Sequence, residues 1–64
     1  MNNTYNRILK YFDYEHLPEH LKEVSKPFKD LAMKMAKQGK DPAETTAGLR
    51  KLLEAKDCAV RSVL

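Results

Sequence analysis

Leu21, Val24, Phe28, Leu31 and Met35 recur at steps of three, four, three and four residues. That period is the seam of an α-helix facing another helix, and it is incompatible with the alternation of a strand. Pro27 falls inside the seam. It lacks a backbone N–H and its ring crowds the preceding turn, so a kink is expected just before it. Gly39 is expected to stop this helix, after Lys34 and Lys37, whose charges suit a C-terminal dipole.

The partner helix announces its own start. Asp41-Pro42-Ala43-Glu44 supplies an N-cap carboxylate, a proline at the first helical position and a glutamate at the third. Leu49, Leu52, Leu53, Val60, Val63 and Leu64 then form an apolar face that runs to the last residue. Gly48 weakens the helix near its start by about 1 kcal/mol, which is tolerable. Two helices of roughly 30 Å each, joined by a short turn at 38–41, make an antiparallel hairpin. Upstream, Tyr5, Ile8, Leu9 and Phe12 mark a short helix, with Asn3 or Thr4 as its expected N-cap. It is expected to end within 13–17, before Pro18, which suits the first position of the next helix. The reading is all-α, with a short N-terminal helix followed by an antiparallel hairpin whose first long helix is kinked by proline, as one helical hairpin domain over residues 1–64.

A chain of 64 residues buries only about 60% of its unfolded surface, so its core needs reinforcement. One cysteine cannot form an internal disulfide, and two histidines beside it are a poor structural metal set. Burying one helix on the other also leaves the flanks of both apolar faces wet. A symmetric homo-oligomer is therefore expected. No apolar run approaches the roughly 20 residues of a membrane span, and MNNTYNR lacks the apolar stretch of a signal peptide. With a free thiol, these features point to a reducing cytoplasm and no membrane.

Little in the chain resembles catalytic machinery. His16-Leu17-Pro18-Glu19-His20 matches the letters of the H-x-x-E-H zinc pattern, but Pro18 marks a helix start between the imidazoles and no third ligand is evident. Cys58 has no histidine near it in sequence and is expected to act as a small buried hydrophobe. No phosphate loop, serine elbow or paired carboxylates occur. No enzyme activity, metal or cofactor is expected.

Two features concern ligands. Lys22, Lys26, Lys29 and Lys37 fall on a stripe roughly 80° wide, which ordinary pairs such as Glu19–Lys22, Glu23–Lys26 and Lys26–Asp30 explain as a solvated helix face. Tyr11-Phe12-Asp13-Tyr14 places three aromatics in four residues, and they cannot all enter one small core. At least one tyrosine is expected at the surface or in an interface. An exposed tyrosine ring stacks on a nucleobase where a neighbouring lysine meets phosphate.

The lead-in Phe12-Asp13-Tyr14-Glu15-His16-Leu17-Pro18 and the segment from Leu49 to Arg61, with the pattern L-x-x-L-x-E-A-x-x-x-A, together resemble a phage family. This is the hairpin-domain anti-CBASS sponges of the second anti-CBASS type, whose hairpin domain is shared with one type of anti-Thoeris sponge. The resemblance covers about 12–64. It implies a helical homo-oligomer, typically a hexamer, in the host cytoplasm. Such a protein sequesters cyclic di- and trinucleotide messengers, among them 3′,3′-cyclic GMP–AMP, and releases them intact. It further implies that Tyr11 or Tyr14 stacks on the base and that Lys26, or Lys29 in its place, meets phosphate. Arg61, Thr45 and Thr46 become candidates for a second pocket. Duplex nucleic acid is not an expected ligand. The rival reading is a small helical module that binds DNA or a host protein, with a salt-dependent affinity in the DNA case.

Overall fold

The computed structural model describes residues 5–64, so the expected N-cap at Asn3 or Thr4 lies outside the described residues. The described chain is all-helical: α1 over Asn6–Leu9, a 3-10 turn over Lys10–Phe12, α2 over Glu19–Gln38 and α3 over Pro42–Ser62. The long helices α2 and α3 form the hairpin and set the 35 Å length of the molecule. No helix among the described residues is long and apolar enough to cross a membrane.

The start of α3 follows its local code. Asp41 caps it, its carboxylate accepting from the backbone N–H groups of Ala43 at 3.0 Å and Glu44 at 3.4 Å, with Pro42 at the first position. Pro18 sits one residue earlier than expected: it caps α2 from outside, and Glu19 opens the helix. Gly39 does terminate α2, but with an extended backbone (φ −65°, ψ 131°) and not a left-handed turn. Its glycine has a steric reason instead. A Cβ there would stand 2.0 Å from the Thr45 Oγ1, where the chain doubles back. Through Pro27, α2 continues as one helix.

Tyr5, Phe12, Ala32 and Leu49 form the buried cluster, with Phe28, Met35, Leu52 and Leu53 packed around it. The N-terminal segment is thus part of the core, since it contributes two of its aromatic rings. The expected seam holds at Leu21, Phe28 and Met35 and is displaced by one residue at its other two positions. Leu21, Ser25 and Ala32 are the buried positions of α2, while Val24 is half-buried and Leu31 is 46% exposed. Volume explains the shift: Phe12 and Leu49 are both fully buried, and the space facing such bulky groups admits a small side chain such as Ala32. The larger Val24 and Leu31 are left on the flank. Ser25 comes with this arrangement at a cost, because its Oγ is fully buried without a hydrogen-bond partner among the described residues.

Cys58 is exposed, contrary to the expected burial. It lies nine residues beyond Leu49, about 180° around α3 and so on the opposite face. The C-terminal end of the apolar face is also uncovered within one chain, with Leu64 80% exposed.

Candidate functional site

Phe12 organises the aromatic turn. Its ring is driven wholly into the core, so the 3-10 turn presents its neighbours Tyr11 and Asp13 outward. Tyr11 is 64% exposed. Asp13 leaves the turn with an extended backbone, and a Tyr14–Leu17 backbone hydrogen bond of 3.0 Å closes the bend that leads to α2.

Two lysines clasp this turn from the long helices. From α2, the Lys29 ammonium donates to the Asp13 carboxylate at 2.5 Å. That contact, by hydrogen bond and by charge, holds the Asp13 carboxyl below its ordinary value. From α3, Lys56 donates to the Tyr11 carbonyl at 2.7 Å, with its nitrogen 5.9 Å from the Phe12 ring centroid and 3.5 Å from Asp57. Its side chain is only 12% exposed. A lysine stem packed on the core while its head meets a carbonyl and a ring face secures the turn by both ends.

Lys26 lies on the exposed surface of α2, within electrostatic range of Tyr14. Lys26 binds Asp30 one turn along α2 at 3.0 Å, with both side chains well exposed. The Asp30 hydrogen bond and charge raise the Lys26 pKa, and Tyr14 adds to the shift through its electrostatic proximity. Tyr14 itself is half-buried. The Tyr14 phenol oxygen thus acts electrostatically on a solvent-facing ammonium whose present partner is the Asp30 carboxylate. Such a pair is able to receive a planar group on the ring and an anion on the lysine in exchange for Asp30.

Lys29 is differently placed from Lys26. Its side chain is only 23% exposed and is committed to Asp13. It supports the turn and is poorly placed to meet a ligand phosphate without breaking that support.

The remaining candidates do not converge within one chain. Thr45 is buried against Gly39 at the hairpin turn, and Thr46 beside it is half-buried. Arg61 lies at the far end of α3, where it donates to the Cys58 Sγ at 3.4 Å. Thr46 and Arg61 are separated by about 22 Å of helix. His16 precedes α2 and His20 lies in its first turn, so the two imidazoles do not share one continuous helix.

Lys56 escaped the sequence reading although a signal for it exists. Leu49, Leu53, Lys56 and Val60 follow steps of four, three and four, so this lysine occupies a seam position. A long cation there has to find a partner inside the fold, and the Tyr11 carbonyl is that partner.

A second concave region lies between the N-terminal segment and α2. This groove has a volume of about 1070 Å³, and neither Tyr11, Tyr14 nor Lys26 lines it. Compared with known proteins, the chain matches no family model, no curated protein and no solved structure.

Proposed function

We propose that this chain is a non-enzymatic sponge: a phage anti-defence protein that binds cyclic di- or trinucleotide second messengers in the host cytoplasm and withholds them from CBASS effectors. The observation that carries the reading is the Tyr14–Lys26 pair beside an exposed Tyr11, on a turn fixed by Lys29 and Lys56. A nucleobase stacks on a tyrosine while the Lys26 ammonium exchanges the Asp30 carboxylate for a phosphodiester. Holding the turn rigid before the ligand arrives lowers the ordering cost of binding. Sequestration of this kind breaks no bond in the ligand.

The working form is a homo-oligomer, proposed here as a hexamer. Leu31, Val63 and Leu64 are large apolar side chains left at the surface of one chain, which a second copy would cover. Thr45 and Thr46 of one protomer together with Arg61 of another would form the second pocket, since one protomer holds them far apart. A mildly basic chain, with a net charge of +3, accumulates positive potential on assembly and attracts cyclic phosphodiesters.

Calorimetric titration with 3′,3′-cyclic GMP–AMP, followed by denaturation and recovery of the nucleotide, tests the proposal. Tight binding with intact ligand supports a sponge. Degraded ligand would make the protein an enzyme. Indifference to cyclic di- and trinucleotides and to cyclic ADP-ribose isomers would leave the helical DNA- or protein-binding module as the better account.

A further inference from the structure

The groove between the N-terminal segment and α2 has the composition of a ligand site of a different kind. Leu9, Met33 and Ala36 line it, and Met33 is 47% exposed despite being large and apolar. Lys10, Lys34 and Lys37 also line it. The ion pairs of the described residues engage Lys26, Lys29 and Lys56, and none engages Lys34 or Lys37. These two stand three residues apart on α2 and are therefore neighbours on its surface. The Asp13 carboxylate, held by Lys29, also lines the groove. Lys29 precedes Lys34 and Lys37 by about 8–12 Å along the helix axis, so positive charge without an acidic partner is concentrated toward the C-terminal end of α2.

This arrangement selects for shape and charge together. A mostly apolar cleft with a few convergent polar groups is the usual form of a small-molecule site. Its apolar lining is chiefly aliphatic, with a methionine that adapts to irregular shapes. Tyr5 also lines it, but that residue is 5% exposed and offers no open ring face for a base to stack on. An alkyl chain suits such a floor better than a nucleobase does. An anionic head placed toward Lys34 and Lys37 meets two ammonium groups and avoids Asp13.

We propose that this groove binds a single-chain alkyl anion, a long-chain phosphate or carboxylate, with its chain along Leu9, Met33 and Ala36 and its head between Lys34 and Lys37. The site shares no residue with the Tyr14–Lys26 pair, and although the Asp13–Lys29 contact borders both, Lys34 and Lys37 belong to this groove alone and test it separately from nucleotide binding.

Dodecyl phosphate, kept below its micelle concentration and titrated calorimetrically into the full chain, is the probe. The expected result is saturable binding that shifts the Met33 methyl resonance. The double substitution Lys34→Glu with Lys37→Glu weakens it about tenfold or more, as loss of a charge-assisted contact requires. Met33→Gln weakens it through the floor, and circular dichroism confirms that both variants remain helical. Inorganic phosphate, lacking the chain, and dodecyltrimethylammonium, lacking the negative head, bind poorly. Absence of saturable binding would overturn the proposal. So would equal affinity in both variants, or equal binding of the cationic amphiphile.

Discussion

Gly39 and Thr45 approach so closely that a side chain on the glycine has no room. A Cβ at Gly39 would lie 2.0 Å from the Thr45 Oγ1, 2.9 Å from its Cγ2 and 3.0 Å from its Cβ. The backbone of Gly39 is ordinary, so Gly39→Ala should gain about 0.4–1 kcal/mol from reduced unfolded-state entropy. The overlap opposes this with an overpacking cost of about 1–3 kcal/mol. The overlap should win, giving net destabilisation in urea unfolding. Thr45→Ala in the same chain removes the two nearest atoms but not the Cβ, so a double-mutant cycle should show partial rescue. Additive effects would mean that the turn relaxes without meeting Thr45.

Ser25 carries the opposite sign. Its hydroxyl is buried in the middle of α2 without a partner among the described residues, and alanine is also the better helix former there. Ser25→Ala should stabilise the protein by about 1 kcal/mol, raising the melting temperature by about 4–8 °C for a domain of this size. A lowered melting temperature would show that the hydroxyl has a partner in solution, such as a bound water. The Leu21 carbonyl, four residues before Ser25, would be the first acceptor to examine.

How much of this was legible in the sequence depends on the range of the interaction that decides it. The start of α3 is written in four adjacent residues, because Asp41 caps through contacts two and three positions away. The hairpin and the short first helix are equally local. The face that α2 buries is not. Hydrophobic size favoured Val24 and Leu31, whereas fitting the fully buried Phe12 and Leu49 favoured Ser25 and Ala32, and that choice belongs to tertiary packing. The same holds at the candidate site. The exposure of a tyrosine followed from crowding at 11–14, but the partners of Lys29 and Lys56 are 16 and 45 residues away. Spacing on one helix carries no information about either.

Lys56 should be more important than its charge suggests. Lys56→Met keeps most of the apolar stem but removes the bond to the Tyr11 carbonyl and the cation over Phe12. A loss of about 1–3 kcal/mol in thermal or urea unfolding is expected. Hydrogen exchange should locate the effect, with amides of the turn at 10–14 opening faster than those of α3. A uniform change across the chain would count against a clasp.

The clasp from α2 is acid-sensitive. Lys29 depresses the Asp13 pKa below its ordinary 3.8, so the folded state releases the proton more readily than the unfolded chain. The contribution is complete above the unfolded value and is lost as pH falls through the lower folded value. NMR titration should place the Asp13 midpoint below 3.8, and Lys29→Met should return it toward that value. Lys26 behaves in the opposite sense. Asp30 raises its pKa above 10.5, so that contribution is present at neutral pH and is lost only as pH rises through the raised value. An Asp13 midpoint unmoved by Lys29→Met would mean that the pair does not persist in solution.

Lys26→Glu separates ligand binding from assembly. Lys26 is exposed and pairs with Asp30, so reversing its charge exchanges one surface ion pair for two neighbouring carboxylates and should leave the fold intact. At the proposed nucleotide site the same change puts a carboxylate where a phosphate belongs, and affinity for 3′,3′-cyclic GMP–AMP should fall about a hundredfold or more. Sedimentation should show the oligomer intact. Lys29→Met should give a smaller loss, accompanied by faster exchange at 10–14, because it acts through the turn. If Lys26→Glu binds as tightly as the parent protein, the Tyr14–Lys26 pair is not the site. If the two lysine variants lose affinity equally while exchange stays unchanged, Lys29 meets the ligand directly and its bond to Asp13 gives way on binding.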